Sequence, residues 1–99
     1  MDAAEGMQQL HNLLARLGEF ALEVGPTPAF LAWREDAEAT VRRIFGDNSQ
    51  EAAVFARVRY TPLTHAACLS DADREAAFQG GLAQAHLILE SLLQQLQQR

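Results

Sequence analysis

The run from Ser70 to Gln98 constrains the fold more than any other stretch. Phe78, Leu82, Ala85, Leu89, Leu92 and Leu96 recur at spacings 4-3-4-3-4, which puts them in a heptad-phased stripe along one side of a helix. Ser70 begins it, with Asp73 three residues on to complete a capping box. Carried to Gln98, that helix is roughly 42 Å long. The whole sequence has only 99 residues, and a compact domain of that size has a radius of gyration of about 13 Å. The far end, Leu92 to Arg99, is therefore expected to project beyond its own domain or to pack on another chain. Gly80-Gly81 interrupts the run at a cost of about 1 kcal/mol each. Such a pair predicts a kink or a close backbone contact.

Three further helices precede it. The first is predicted over Ala3–Val24, where Met7, Leu10, Leu14, Leu17, Ala21 and Val24 are spaced 3-4-3-4-3 and Gly25-Pro26 stops the run. The second starts at Thr27-Pro28, a cap followed by a proline suited to the first helical position. Phe30, Trp33, Ala37, Val41 and Ile44 form its inner face, and Gly46 ends it. A short third helix is predicted over Gln50–Arg59, with Asn48 and Glu51 as a capping box and Val54, Phe55 and Val58 inward. Tyr60-Thr61-Pro62 breaks it. Arg57-Val58-Arg59-Tyr60 alternates like an edge strand, but one strand without a partner is not a sheet. Residues 63–69 are a loop or a helical turn. The expectation is a single all-α domain over residues 1–99, with four helices and a long last one. The stripes on the first and last helices are wider than one small domain needs. A homo-oligomer follows, built on Leu10, Leu14, Leu17, Leu89, Leu92, Leu93 and Leu96.

Charge and composition narrow the function. Thirteen acidic residues outweigh eight basic ones, for a net charge of -5. Duplex DNA is therefore an unexpected partner, because neutralising phosphates drives that binding. No apolar run approaches the ~20 residues of a membrane span, and no membrane partner is expected. A lone cysteine, Cys68, and an acidic N-terminus without a signal-peptide core point to the cytoplasm.

No residue set reads as a catalytic or metal centre. His65 and Cys68 lie three apart, while His11 and His86 sit on other helices, too few and too scattered for zinc. No metal or cofactor is expected. Asp71 and Asp73 near Cys68 raise a thiol pKa, which argues against a cysteine nucleophile. Glu35, Asp36 and Glu38 early in the second helix suit its macrodipole and need no catalytic role. Arg59 and His65 resemble the Arg-x(4–6)-His motif of HEPN ribonucleases, small all-α proteins that often dimerise to form their site. That resemblance rests on two residues, and Pro62 interrupts a motif that is helical in the family.

The arginines make the stronger ligand candidate. Arg42 and Arg43 close the second helix, and Arg57 and Arg59 close the third. Cations at helix C-termini are favourable in themselves. Brought together by oligomer symmetry, they would grip a polyanion such as a nucleotide signal, with Tyr60 or Trp33 to stack its base.

One longer resemblance remains. Phe30-x-x-Trp33, Ile44-Phe45-Gly46, Ser49, Phe55 and the helix Phe78-x-Gly80-Gly81-Leu82-x-x-Ala85 are similar to a small helical module. That module stands at the N-terminus of bacterial defence-related proteins, some with TIR-like or predicted nucleotide-binding domains behind it. The resemblance spans roughly residues 28–96, carries over no catalytic residue, and implies interaction or oligomerisation in a defence or counter-defence setting. No effector domain follows Arg99, so the implied role is a separate regulatory piece or a phage decoy or sponge. The leading expectation is a non-catalytic assembly or regulatory module, not an enzyme. The alternatives are a nucleotide binder using the arginines and a HEPN-like ribonuclease.

Overall fold

A computed structural model describes residues 2–61 and 70–98. Four α-helices form its framework: α1 (Ala3–Leu17), α2 (Pro28–Phe45), α3 (Gln50–Ala56) and α4 (Asp71–Gln97), with a 3₁₀ turn at Gly18–Phe20. No strand occurs among the described residues.

Local chemistry sets most boundaries. Asp2, Thr27, Ser49 and Ser70 each accept a backbone N–H at the start of a helix. Pro28 occupies the first turn of α2, and Gly46 ends it with φ 109°, a conformation glycine adopts without steric cost. Ser70 and Asp73 form the reciprocal capping box expected for α4. At α3 the cap is Ser49, whose Oγ accepts from the Ala52 N–H, one residue later than the Asn48 box predicted.

Two helices are shorter than their sequence patterns. The α-helix of α1 ends at Leu17 and not at Val24. The 3₁₀ turn that follows swings Phe20 inward, while Val24 is left 66% exposed. α3 ends at Ala56 rather than Arg59. Beyond it, Val58 and Tyr60 are buried and Arg57 and Arg59 exposed, so the alternation is real in burial although no strand forms.

α1 lies antiparallel to α4. Gly6 near the start of α1 faces Leu96 near the end of α4, and Gln79 Nε2 donates to the Glu23 carbonyl just past α1 at 3.0 Å. α2 runs back along α1, tied by Trp33 Nε1 donating to the Leu13 carbonyl (3.2 Å) and by the Arg16–Asp36 ion pair (2.8 Å). α3 turns back after Gly46 and packs on α2 and α4. The core is centred on Phe30. Its ring meets Tyr60 at 4.7 Å, Phe78 at 5.0 Å and Phe20 at 5.4 Å, edge to face, and stacks near Trp33 at 5.8 Å.

This packing corrects the expected oligomer interface. Leu10, Leu17, Leu89, Leu92, Leu93 and Leu96 are buried within the single chain, and Leu14 packs partly buried against the same core. The two heptad stripes face each other within the chain and are already covered there. The end of α4 is likewise covered by α1, so it does not project from the domain. At about 1.5 Å per residue its 27 residues reach roughly 40 Å, most of the 47 Å long axis of the chain.

Gly80-Gly81 divides between its two residues. A Cβ at Gly81 would overlap the Arg59 carbonyl and lie 2.6 Å from Tyr60 Cδ1, whereas one at Gly80 meets nothing within 4 Å. The pair marks a close approach of the 59–60 backbone to α4, as expected, at Gly81 alone.

Candidate functional site

Within a single chain the candidate ligand residues do not come together as one set. Trp33 is fully buried and Tyr60 is 3% exposed, so neither ring is available to stack a base. Trp33 is held by its bond to Leu13. Tyr60 lies under the Arg34 guanidinium, 5.1 Å from the ring centroid. Its hydroxyl is buried without a hydrogen-bond partner among the described residues. Burial pushes the Tyr60 pKa up to about 12; Arg34 opposes the rise, and Glu38 adds to it.

The four candidate arginines are all exposed, but they line separate places. Arg43 borders a 230 Å³ cleft between α1 and α2 with Arg16 and Asp36. Arg57 and Arg59 border a 470 Å³ cleft with Thr61, Gly80 and Gln84. Arg42 lines neither. Arg42, Arg43, Arg57 and Arg59 make no ion pair among the described residues, in contrast to Arg16, Arg34 and Arg74. His65 and Cys68, and with them any HEPN-like pairing with Arg59, lie outside the described residues. Among those described, no three of His, Cys, Asp and Glu gather as metal ligands, and no helix is long and apolar enough to cross a membrane.

A further surface feature has no counterpart in the hydrophobic pattern of the sequence. It is a groove between α3 and α4. A 420 Å³ cleft lies between Gln50, Glu51 and Val54 on α3 and Leu87, Ile88, Ser91, Leu92 and Gln95 on α4. A 360 Å³ cleft continues it, sharing Val54, Leu87 and Ile88 and ending at Arg57, Val58 and Gln84. Arg57 and Gln84 also border the cleft at Arg59 and Gly80. The floor is apolar and open: Leu87 is 65% exposed and Val54 40%. Val54 had been expected inward.

A signal for this face exists in α4. Ala77, Gly80, Gln84, Leu87, Ser91 and Gln95 recur at 3-4-3-4-4, a second stripe beside the heptad one. Its small and polar residues give it no hydrophobic period, so only Leu87 stands out. Outside the groove, Leu22 (97% exposed) and Val24 (66%) in the loop after α1 and Leu31 (49%) on α2 are also left in solvent.

The fold and this surface define a class: a small all-α domain with a filled core and an apolar groove on one outer face. No family model, curated protein or solved structure matches the chain.

Proposed function

We propose that the chain is a non-catalytic assembly module that docks another protein surface in the α3–α4 groove. The observation that carries this reading is the exposure of Leu87 and Val54 side by side in a groove of two continuous clefts. Apolar side chains in an open groove gain from being covered, at roughly 25 cal/mol per Å² buried, and helix-in-groove docking uses such a surface. The defence or counter-defence setting implied by the helical module belongs to this proposal, as does the cytoplasm as its compartment.

The test is site-specific photo-crosslinking of the full chain in cells. A crosslinker at position 87 is expected to give a discrete protein adduct. One at position 31, an exposed leucine on α2 outside the groove, is expected to give none. Equal labelling at both positions, or none at either, would overturn the reading.

A second reading, an anion held by Arg57 and Arg59, is favoured by the cleft they share and by their lack of ion pairs. Nucleotide affinity that is salt-sensitive and lost in Arg59→Ala would promote it.

A further inference from the structure

The groove has a symmetry that bears on what occupies it. α3 runs antiparallel to α4 along it: Gln50 and Glu51 stand level with Ser91 and Gln95, and Arg57 stands level with Gln84. Val54 and Leu87 belong to both clefts and mark the middle. Glu51 lies three residues before Val54, and Arg57 lies three residues after it. One end of the groove is thus acidic and the other cationic, at equal distance from an apolar centre. Neither charge makes an ion pair within the chain among the described residues. The α3 dipole accounts for an acid at its start and a cation at its end. It does not account for two exposed apolar side chains between them.

We infer that the groove is closed by a second copy of this chain, related by a two-fold axis through Val54 and Leu87, with Glu51 of each copy against Arg57 of the other. The inference rests on the assembly reading above and names its partner. In a two-fold interface the same patch serves both molecules, so a patch must complement itself after half a turn. This one does: rotation about its middle exchanges the acidic and cationic ends and lays Leu87 on Leu87. The face is modest. From Gln84 to Gln95 it is about 17 Å long, and two adjacent helices make it about 20 Å wide. Two copies then bury on the order of 700 Å² in total, below the size of a standard specific interface, so a weak, concentration-dependent dimer is expected.

The experiment is sedimentation equilibrium of the full chain over a concentration series. The wild type should move between 10.9 kDa and twice that mass. Leu87→Asp, at an exposed site, should stay folded and monomeric. Glu51→Arg and Arg57→Glu should each weaken the dimer at least about tenfold, because each sets like charges at both ends. Mixing those two variants should restore association, since the mixed pair again has opposite charges at both ends. The double variant E51R/R57E should restore it in a single chain. Leu22→Ser, outside the groove, should leave the dimer unchanged. A monomeric wild type, a dimer indifferent to Leu87→Asp, or no recovery on mixing would overturn the inference. A monomer that still crosslinks at position 87 to a different protein overturns the second copy and leaves the assembly reading in place. A monomer with no adduct overturns both.

Discussion

Gly80 and Gly81 are neighbours in sequence with opposite expected responses to one methyl group. Both sit inside α4, where glycine costs about 1 kcal/mol relative to alanine. At Gly80 the added Cβ meets nothing within 4 Å, so Gly80→Ala should keep the full gain of about 1 kcal/mol. At Gly81 the same Cβ overlaps the Arg59 carbonyl, and it lies 3.0 Å from Tyr60 Cα and 2.6 Å from Tyr60 Cδ1. Two of those three atoms are backbone, and the third belongs to a ring wedged against Phe30. None can retreat by a rotamer change, so the strand of chain at 59–60 must move off α4. Overpacking of that kind typically costs 1–3 kcal/mol, and about 2–3 kcal/mol here because the atoms met are rigid. Net of the propensity gain, Gly81→Ala should lose roughly 1–2 kcal/mol. For a domain of this size 1 kcal/mol is about 4–8 °C. Thermal unfolding followed by circular dichroism should therefore raise Tm by about 5 °C for Gly80→Ala and lower it by about 5–15 °C for Gly81→Ala. Shifts of the same sign and similar size in both variants would refute the close approach of residues 59–60 to α4.

Other substitutions probe the core, the caps and the buried hydroxyl. Leu89→Ala, at a fully buried site, should cost about 2–5 kcal/mol in denaturant unfolding, whereas Leu87→Ala should cost under about 0.5 kcal/mol. Leu92→Asp and Leu96→Asp should unfold the chain rather than yield a folded monomer, as read from the loss of helical circular dichroism. Thr27→Ala removes the hydroxyl that accepts the Phe30 N–H at 3.1 Å and should lower stability by about 1 kcal/mol. Tyr60→Phe deletes a buried hydroxyl with no partner among the described residues and should be neutral or stabilising at pH 7. Burial holds the Tyr60 pKa up at about 12 in the folded chain, above the ordinary tyrosine value of 10.0. Between those two values the unfolded chain holds fewer protons than the folded one, so stability falls as pH rises through that window. Unfolding midpoints at pH 10–12 should decline less steeply in Tyr60→Phe than in the wild type.

The parts of the fold legible in sequence are those fixed by local chemistry. Thr27-Pro28 and Gly46 bound α2, and Ser70 with Asp73 begins α4, because caps and a positive-φ glycine act within one turn. The end of α1 was not legible. The apolar period continues through Ala21 and Val24, yet the helix tightens at Gly18 so that Phe20 can reach Phe30, on a different helix. That is a tertiary contact overriding a local pattern. The short run after α3 is similar. Val58 and Tyr60 turn inward because Gly81 lets the backbone come close, and no property of residues 57–60 alone announces it.

The candidate site was less legible, for a reason built into hydrophobic patterning. A stripe of leucines shows that a face is buried and is silent on what buries it. On α1 and α4 the stripes were wide enough to suggest two molecules, but in a chain this short each is the other's partner, and Leu10, Leu89 and Leu96 close one core. A docking face must remain stable in water before its partner arrives, so it carries few apolar side chains and shows little period. Leu87 among Gln84, Ser91 and Gln95 has that character, and so does Val54 between Glu51 and Arg57. Such a face becomes visible only when two helices are set side by side. The charges on α3 then follow the same logic: each is ordinary on its own helix, and together with an exposed apolar centre they form a surface that complements its own copy.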